Sequence, residues 1–309
     1  MDWRCPLTTI DRSPSIDLVV PTIDRPNELR RLLESAVAQG YEPLRVVVID
    51  MNDDDSSAAA VLAEYSDELD IVHLRVSRRG VSKARNFAMG SIEAEVISLS
   101  DDDCWLPDGF LHALGERFHR EPSLAGLSVM QKDAQLRPSN GRWATRPGRI
   151  TKTSVWGRGV SAGIFVRASA VREIGGFDEG LGPGSGGWAA GEETDLLIRL
   201  VDTGHRVDYE PSLFVHHPDP QRNNALTYPL ERWRAYAQST GHLMRKHRCP
   251  PNIVAYHCAR PLIGSVAAAL RGDFNQSRSR LAVAVGRLEG WARSKPSRTG
   301  ARPDKRIAP

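Results

Sequence analysis

The chain has 309 residues, 40% hydrophobic and 26% charged, proportions that exclude a disordered or fibrous protein and suit one large α/β domain with an appendage. Its net charge of +3 conceals a division, because residues 222–309 hold 17 Lys/Arg against 4 Asp/Glu and the first 221 residues are therefore acidic. No basic, apolar leader opens the chain, no run of about 18 uncharged apolar residues suggests a membrane span, and Cys5, Cys104, Cys249 and Cys258 fit no zinc or redox spacing, so a reduced, cytoplasmic setting is expected.

After a polar amino end, 1–15, expected to be flexible, strand and helix patterns alternate. Ile16 to Pro21 reads as a strand, and Glu28 to Gln39 as a helix with Leu29, Leu32, Leu33, Ala36 and Val37 on one face and Gly40 placed to end it. Leu44 to Ile49 is a second strand ending at Asp50, followed by a helix over Ala58 to Tyr65 and a strand over Ile71 to Val76. A helix over Ser82 to Met89 leads to a short apolar strand, Val96 to Leu99, that stops at three consecutive carboxylates, Asp101, Asp102 and Asp103. Alternation of this kind predicts a mostly parallel sheet flanked by helices. Ligands in such sheets bind beyond the carboxyl ends of the strands, where Pro21, Thr22, Asp50 and the triplet all fall. Three adjacent acids repel one another unless a cation, a basic partner or water neutralises them, and hard divalent cations favour oxygen ligands. A solvated acidic turn capping the next helix is the plainer alternative.

Beyond the triplet, Trp105 to Leu114 reads as a turn and a helix, and residues 120–160 show no regular pattern. Residues 161–179 read as strand, helix and glycine turn, and the glycine-rich stretch 180–193 as a mobile loop able to close over a ligand. Trp188 within it suits stacking on a sugar or simple anchoring of the loop. GEETDLLIRL, 191–200, begins a helix with Leu196, Leu197 and Leu200 on its buried face, and PSLFVHH, 211–217, ends a strand at His216 and His217. From 222 to 293 the pattern is basic and helical. Its apolar piece 261–270 is too short to span a bilayer, but it suits either an amphipathic contact with an anionic membrane surface or packing on the main domain. The tail 294–309 is expected to be disordered. No aromatic-interleaved basic stripe accompanies the charge, so no nucleic-acid partner is expected.

The segments VVPTIDRP (19–26), VVVID with its acidic loop (46–55), RRGVSKARN (78–86), SLSDDD (98–103), GGFDE (175–179) and GEETDLLIRL (191–200) resemble, in the same order, those of family 2 glycosyltransferases. The resemblance spans about residues 16–218. It implies a GT-A fold: a catalytic domain over 16–221 with a nucleotide-binding part (16–105) and an acceptor-side part (106–221), then the helical extension. It further implies inverting transfer from a nucleoside-diphosphate sugar, UDP- or dTDP-linked, to an acceptor hydroxyl on a glycan or a lipid-linked molecule. A divalent cation, Mn²⁺ or Mg²⁺, is the implied cofactor. By the same resemblance Pro21, Thr22 and Asp50 contact the nucleotide, Arg85 lies near the diphosphate, and Asp101 and Asp102 serve the donor. Asp103 is the implied direct metal ligand, joined by Asp101 and by one of His216 and His217. Glu192 and Glu193 match the family's acid pair, with Glu193 as the base. Asp53, Asp54 and Asp55 depart from the family's usual loop, and Glu193 stands where aspartate is usual. Two rivals remain: a non-catalytic nucleotide-sugar-binding relative, and a sugar nucleotidyltransferase, which needs a glycine-rich phosphate loop that VVPTIDRP is not. A peripheral position at the inner face of the cell membrane, in polysaccharide or glycolipid synthesis, would suit a lipid-linked acceptor.

Overall fold

The computed structural model describes residues 13–53, 57–77, 80–159, 162–219 and 229–296. The tail expected to be disordered lies outside them from residue 297, as do the first twelve residues.

The first half follows the alternation of the sequence: β1 (Ile16–Thr22), α1 (Pro26–Val37), β2 (Leu44–Asp50), α2 (Ser57–Ala63), β3 (Asp70–Arg75), α3 (Val81–Ala88) and β4 (Val96–Leu99). Proline in the first turn of α1 supplies a preset φ where no intrahelical N–H bond is needed, and Gly40, at φ +51°, turns the chain after it. The second half contributes α4 (Phe110–Arg120), β5 (Leu124–Lys132), β6 (Gly148–Arg149), a 3₁₀ turn (Val155–Gly157), β7 (Ile164–Arg167), α5 (Ala168–Glu173), α6 (Glu192–Asp202) and β8 (Arg206–His216). All eight strands form one sheet in the order β3-β2-β1-β4-β7-β5-β8-β6. Pairs among β1 to β4 are parallel, β7 is antiparallel to both β4 and β5, β5 and β8 are parallel, and β6 closes the edge antiparallel to β8.

Successive residues of β1 and β2 serve opposite layers, as the pleat requires. Leu18, Val20, Val46 and Val48 pack with Leu29, Leu32 and Leu33 of α1 and Leu111, Leu114 and Phe118 of α4. Val19, Val47 and Ile49 belong to the opposite layer, with Ala84 and Ala88 of α3, and the Leu196, Leu197 and Leu200 stripe of α6 joins the same layer beside β8. Burial on both faces explains why these strands read as unbroken apolar runs.

Residues 120–160, patternless in sequence, contain the nine-residue strand β5, buried along nearly its whole length. Gly126 and Ser128 interrupt its apolar run, and Gly126 is needed because a Cβ there would press on Val166 and Val207 at 3.0 and 3.2 Å. Residues 180–191 also differ from expectation. They are not a free loop but are held in place: Ser82 Oγ donates to Leu181 O at 2.7 Å, Val81 N to Pro183 O at 3.1 Å, and Leu181 and Trp188 form a β-bridge.

Three helices follow, α7 (Leu230–Lys246), α8 (Pro251–Leu270) and α9 (Phe274–Arg293). α7 docks on the α/β domain and α9 docks on α7, where a Cβ at Gly241, Gly286 or Gly290 would collide with the opposing backbone. The apolar piece 261–270 is the second half of α8. The whole helix of 20 residues is, by length and composition alone, enough to cross a membrane, although it carries Arg260 at its middle and the uncharged piece 261–270 is only half of it.

Candidate active site

Parallel register places Thr22 beside Asp50, while Leu99 pairs with Val19, so the chain emerging from β4 carries its triplet across the end of β1. There Thr22 Oγ1 donates to Asp102 Oδ2 at 2.9 Å. Arg25, beyond the same strand, donates through Nη1 to Asp102 Oδ1 and Asp103 Oδ2, each at 2.9 Å. Arg31 Nη2, on α1, donates to the Asp103 carbonyl at 2.9 Å. Burial pushes the Asp102 carboxyl up to about 6 despite the attraction of Arg25, with Asp103 adding to the rise.

Asp50 lies in the same crevice, 2% exposed. Its Oδ1 accepts from the Asn52 backbone and amide nitrogens at 2.9 and 2.8 Å, and His73 Nε2 is 3.0 Å from its Oδ2. Pro21 is the buried penultimate residue of β1 and holds the chain extended into Thr22. Of the acidic loop, Asp53 is described, whereas Asp54 and Asp55 lie outside the described residues.

Arg85 joins the two halves of the site. It is 1% exposed, and its Nη2 donates to Asp101 Oδ1 at 3.3 Å while Nη1 reaches Glu193 Oε1 at 3.2 Å and Glu192 Oε1 at 3.5 Å. One cation between the partly exposed Asp101 and the buried Glu192 and Glu193 leaves an excess of negative charge. Burial first, and Glu193 second, hold the Glu192 carboxyl well above the usual range, and burial raises Asp101 as well. Glu192 Oε2 has no hydrogen-bond partner among the described residues. Neighbouring Gly182, at φ +96°, leaves room for this carboxyl, since a Cβ would stand 2.9 Å from it.

The two histidines separate. His216 stacks on Trp105, ring centroids 4.7 Å apart, and its Nδ1 lies 3.3 Å from the Asp133 carbonyl. His217 Nδ1 is 2.6 Å from the Pro218 carbonyl, which can only accept, so the ring donates there and a neutral His217 presents a bare Nε2. That nitrogen is 3.5 Å from Asp103 Oδ1, a buried oxygen with no hydrogen-bond partner among the described residues. Two electron pairs facing each other are repulsive unless a proton or cation lies between them, so this donor set fits a divalent metal. The buried Cys104 supplies a third candidate atom: ligand atoms of Asp103, Cys104 and His217 lie within 4.8 Å of one another. Burial, with Asp101 and Asp103 nearby, keeps its thiol raised well above the usual range in the absence of a cation.

Trp188 stands at the rim, stacked on His242 of α7 at 4.4 Å. Asp195, in the first turn of α6, is a completely buried hub: Arg199 Nε, Lys246 Nζ and His247 Nε2 lie 2.7, 2.6 and 2.8 Å from it. Burial alone would raise its carboxyl, but the His247 hydrogen bond and the charges of Arg199 and Lys246 hold it well below the usual range.

Sequence reasoning missed Arg25, Arg31, Asn52, His73 and Cys104. Arg25 and Asn52 lie inside segments already singled out, 19–26 and 46–55, and Cys104 directly follows the triplet, which is the signal that could have found them.

The family model "Glycosyl transferase family 2" matches residues 17–174. The pre-mycofactocin glycosyltransferase of Mycobacterium tuberculosis is 28% identical over 219 residues, covering 65% of this chain but only 42% of the relative, so the chain spans less than half of that protein's length. Among solved structures, a mannosyltransferase from Pyrobaculum calidifontis in complex with GDP-Man and Mn²⁺ superposes with a TM-score of 0.64 at 18% identity, over 92% of this chain and 89% of that one. TarS residues 1–349 of S. aureus, in complex with UDP-GlcNAc, gives 0.55 at 14% identity, over 86% and 90%. The sheet order and flanking helices are those of the GT-A fold, and the chain belongs to glycosyl transferase family 2.

Proposed function

We propose that the chain is a divalent-cation-dependent, inverting glycosyltransferase that moves a sugar from a UDP- or dTDP-sugar to an acceptor hydroxyl in cell-surface polysaccharide or glycolipid synthesis. The observation that carries the reading is Arg85, whose single buried guanidinium ties Asp101 of the strand-end triplet to Glu192 and Glu193 and so holds donor-side acids and candidate base at a set separation. The Pyrobaculum and Staphylococcus neighbours bind GDP-Man and UDP-GlcNAc, which favours a nucleoside-diphosphate sugar as donor.

The base of the nucleotide belongs beside Asp50, whose Oδ2 retains acceptor capacity for the imide N–H of uracil or thymine next to His73. Pro21 and Thr22 wall that crevice, and Asp101 and Asp102 face the ribose and diphosphate. Asp103 and His217 would hold the Mn²⁺ or Mg²⁺, which when bound neutralises charge gathering on the departing nucleoside diphosphate. Glu193 takes the proton of the attacking hydroxyl as the new C–O bond forms on the face of the anomeric carbon opposite the leaving phosphate. Arg85 donates to Glu193 Oε1 and orients that carboxylate beside Glu192, whose own carboxyl is held above the usual range. Trp188, with one ring face on His242, offers the other to an acceptor sugar. A lipid-linked acceptor agrees with a membrane contact through the basic helical extension.

Thermal unfolding with UDP, dTDP and GDP, with and without Mn²⁺, tests the reading. UDP or dTDP should stabilise by roughly 2–3 kcal/mol at about a hundred times Kd, with Mn²⁺ required. Asp103→Ala should abolish the Mn²⁺-dependent stabilisation. Indifference to every nucleotide would overturn the reading, whereas nucleotide binding without transfer would favour a non-catalytic nucleotide-sugar-binding relative.

A further inference from the structure

The catalytic domain buries its apolar side chains, whereas the last two helices display theirs. Of twelve large hydrophobic side chains exposed among the described residues, nine lie on α8 and α9. The amino half of α8 rests against the domain, His257 meeting Trp156 with centroids 5.6 Å apart, and the carboxyl half of α9 is bound to α7 by the Arg234–Glu289 pair and the glycine contacts. Between these anchors the hairpin tip is held by its own two helices, with Ser265 Oγ donating to Ser277 O at 2.8 Å and Arg280 Nη1 to Gly264 O at 2.9 Å. There Ile263 is 68% exposed, Val266 58%, Leu270 84% and Phe274 67%.

The charge at the tip is one-sided. Arg271, Arg278 and Arg280 stand against Asp273 alone, and Asp273 caps α9, accepting from Gln276 N at 2.9 Å. Apolar side chains at the end of a hairpin, ringed by arginines, complement a surface that is anionic outside and hydrocarbon beneath.

We infer that the tip of the α8–α9 hairpin inserts into an anionic lipid interface, with Ile263, Val266, Leu270 and Phe274 below the headgroups and Arg271 and Arg278 at the lipid phosphates. The hairpin lies at the interface and does not cross it. α8 carries Arg260 at its middle, and α9, paired along it, would take Arg278, Arg280 and Arg287 into hydrocarbon. A second copy of the chain is a poorer occupant, since interface cores are depleted of charge and this patch is bordered by like-charged arginines. The inference localises the membrane contact proposed above and assigns α7 to the domain instead.

The full-length protein should co-sediment with vesicles of phosphatidylcholine and phosphatidylglycerol, and much less with phosphatidylcholine alone. Leu270→Ser combined with Phe274→Ser should weaken binding about tenfold or more, and Arg271→Glu with Arg278→Glu should abolish the preference for phosphatidylglycerol. Three results overturn the proposal: no binding to either vesicle, binding unaltered by these substitutions, or a lipid-free dimer by light scattering that Leu270→Ser/Phe274→Ser dissolves. Nucleotide-dependent stabilisation, measured on the same samples, reports separately on the transferase reading, because the tip residues lie outside the crevice.

Discussion

At the scale of residues, Arg85 and the acids around it organise the site. If Glu193 is the base, Glu193→Gln keeps the volume and a hydrogen-bond acceptor for Arg85 but cannot take a proton. Nucleotide-dependent stabilisation should therefore survive while turnover falls by about 10²-fold or more, measured as nucleoside diphosphate release; undiminished turnover would remove the assignment. Glu192 permits a second prediction. Its raised value means that the folded chain keeps a proton the unfolded chain has released, so the stabilisation is full below the ordinary glutamate value of 4.5 and is lost as pH rises through the raised folded value. Glu192→Gln should flatten that decline, read from urea midpoints at pH values from 4.5 upward. The triplet and the Glu pair were legible as polar residues at element ends. Their joint hold on Arg85, 107 and 108 residues before the pair, was not, because it depends on how α3 and α6 pack against the same sheet.

At the scale of elements, α6 is fastened through its first turn. Its first turn presents Glu192 and Glu193 to the crevice, and Asp195, two residues on, binds Lys246 and His247 at the end of α7. Asp195→Asn would remove the buried carboxylate that Arg199, Lys246 and His247 share, leaving Lys246 with Asp178 alone, and should cost about 3 kcal/mol, at the lower end for breaking a buried pair, measured by chemical denaturation. The stabilisation from Asp195 is present above the ordinary aspartate value of 3.8 and is lost as pH falls below it, so the difference between variant and parent should narrow in acid. Sequence periodicity located α6 and the apolar stripe, but nothing local marks Asp195 as a hub, since its His247 partner is 52 residues away. β5 escaped for a related reason: Gly126 and Ser128 look like loop residues until the closeness of Val166 and Val207 shows that only small side chains fit.

At the scale of the whole molecule, the basic extension is two things and not one. α7 belongs to the catalytic body, whereas the α8–α9 tip projects from it. A chain ending at residue 228 should lose its cooperative thermal transition or melt markedly lower, because Asp195 loses two of its three partners. A chain ending at residue 250 should keep that transition, as followed by circular dichroism. The acidic body, the alternating elements, the polar strand ends and the motif order were determined by the sequence alone, since each rests on local periodicity or on residues close together in the chain. Only the tertiary structure decided that His217 and not His216 faces Asp103, that Cys104 joins them, that Arg25 spans the triplet and that α7 packs while the hairpin tip stays open. Neighbouring residues share a composition and a strand, but side-chain direction and long-range packing determine which of them meet.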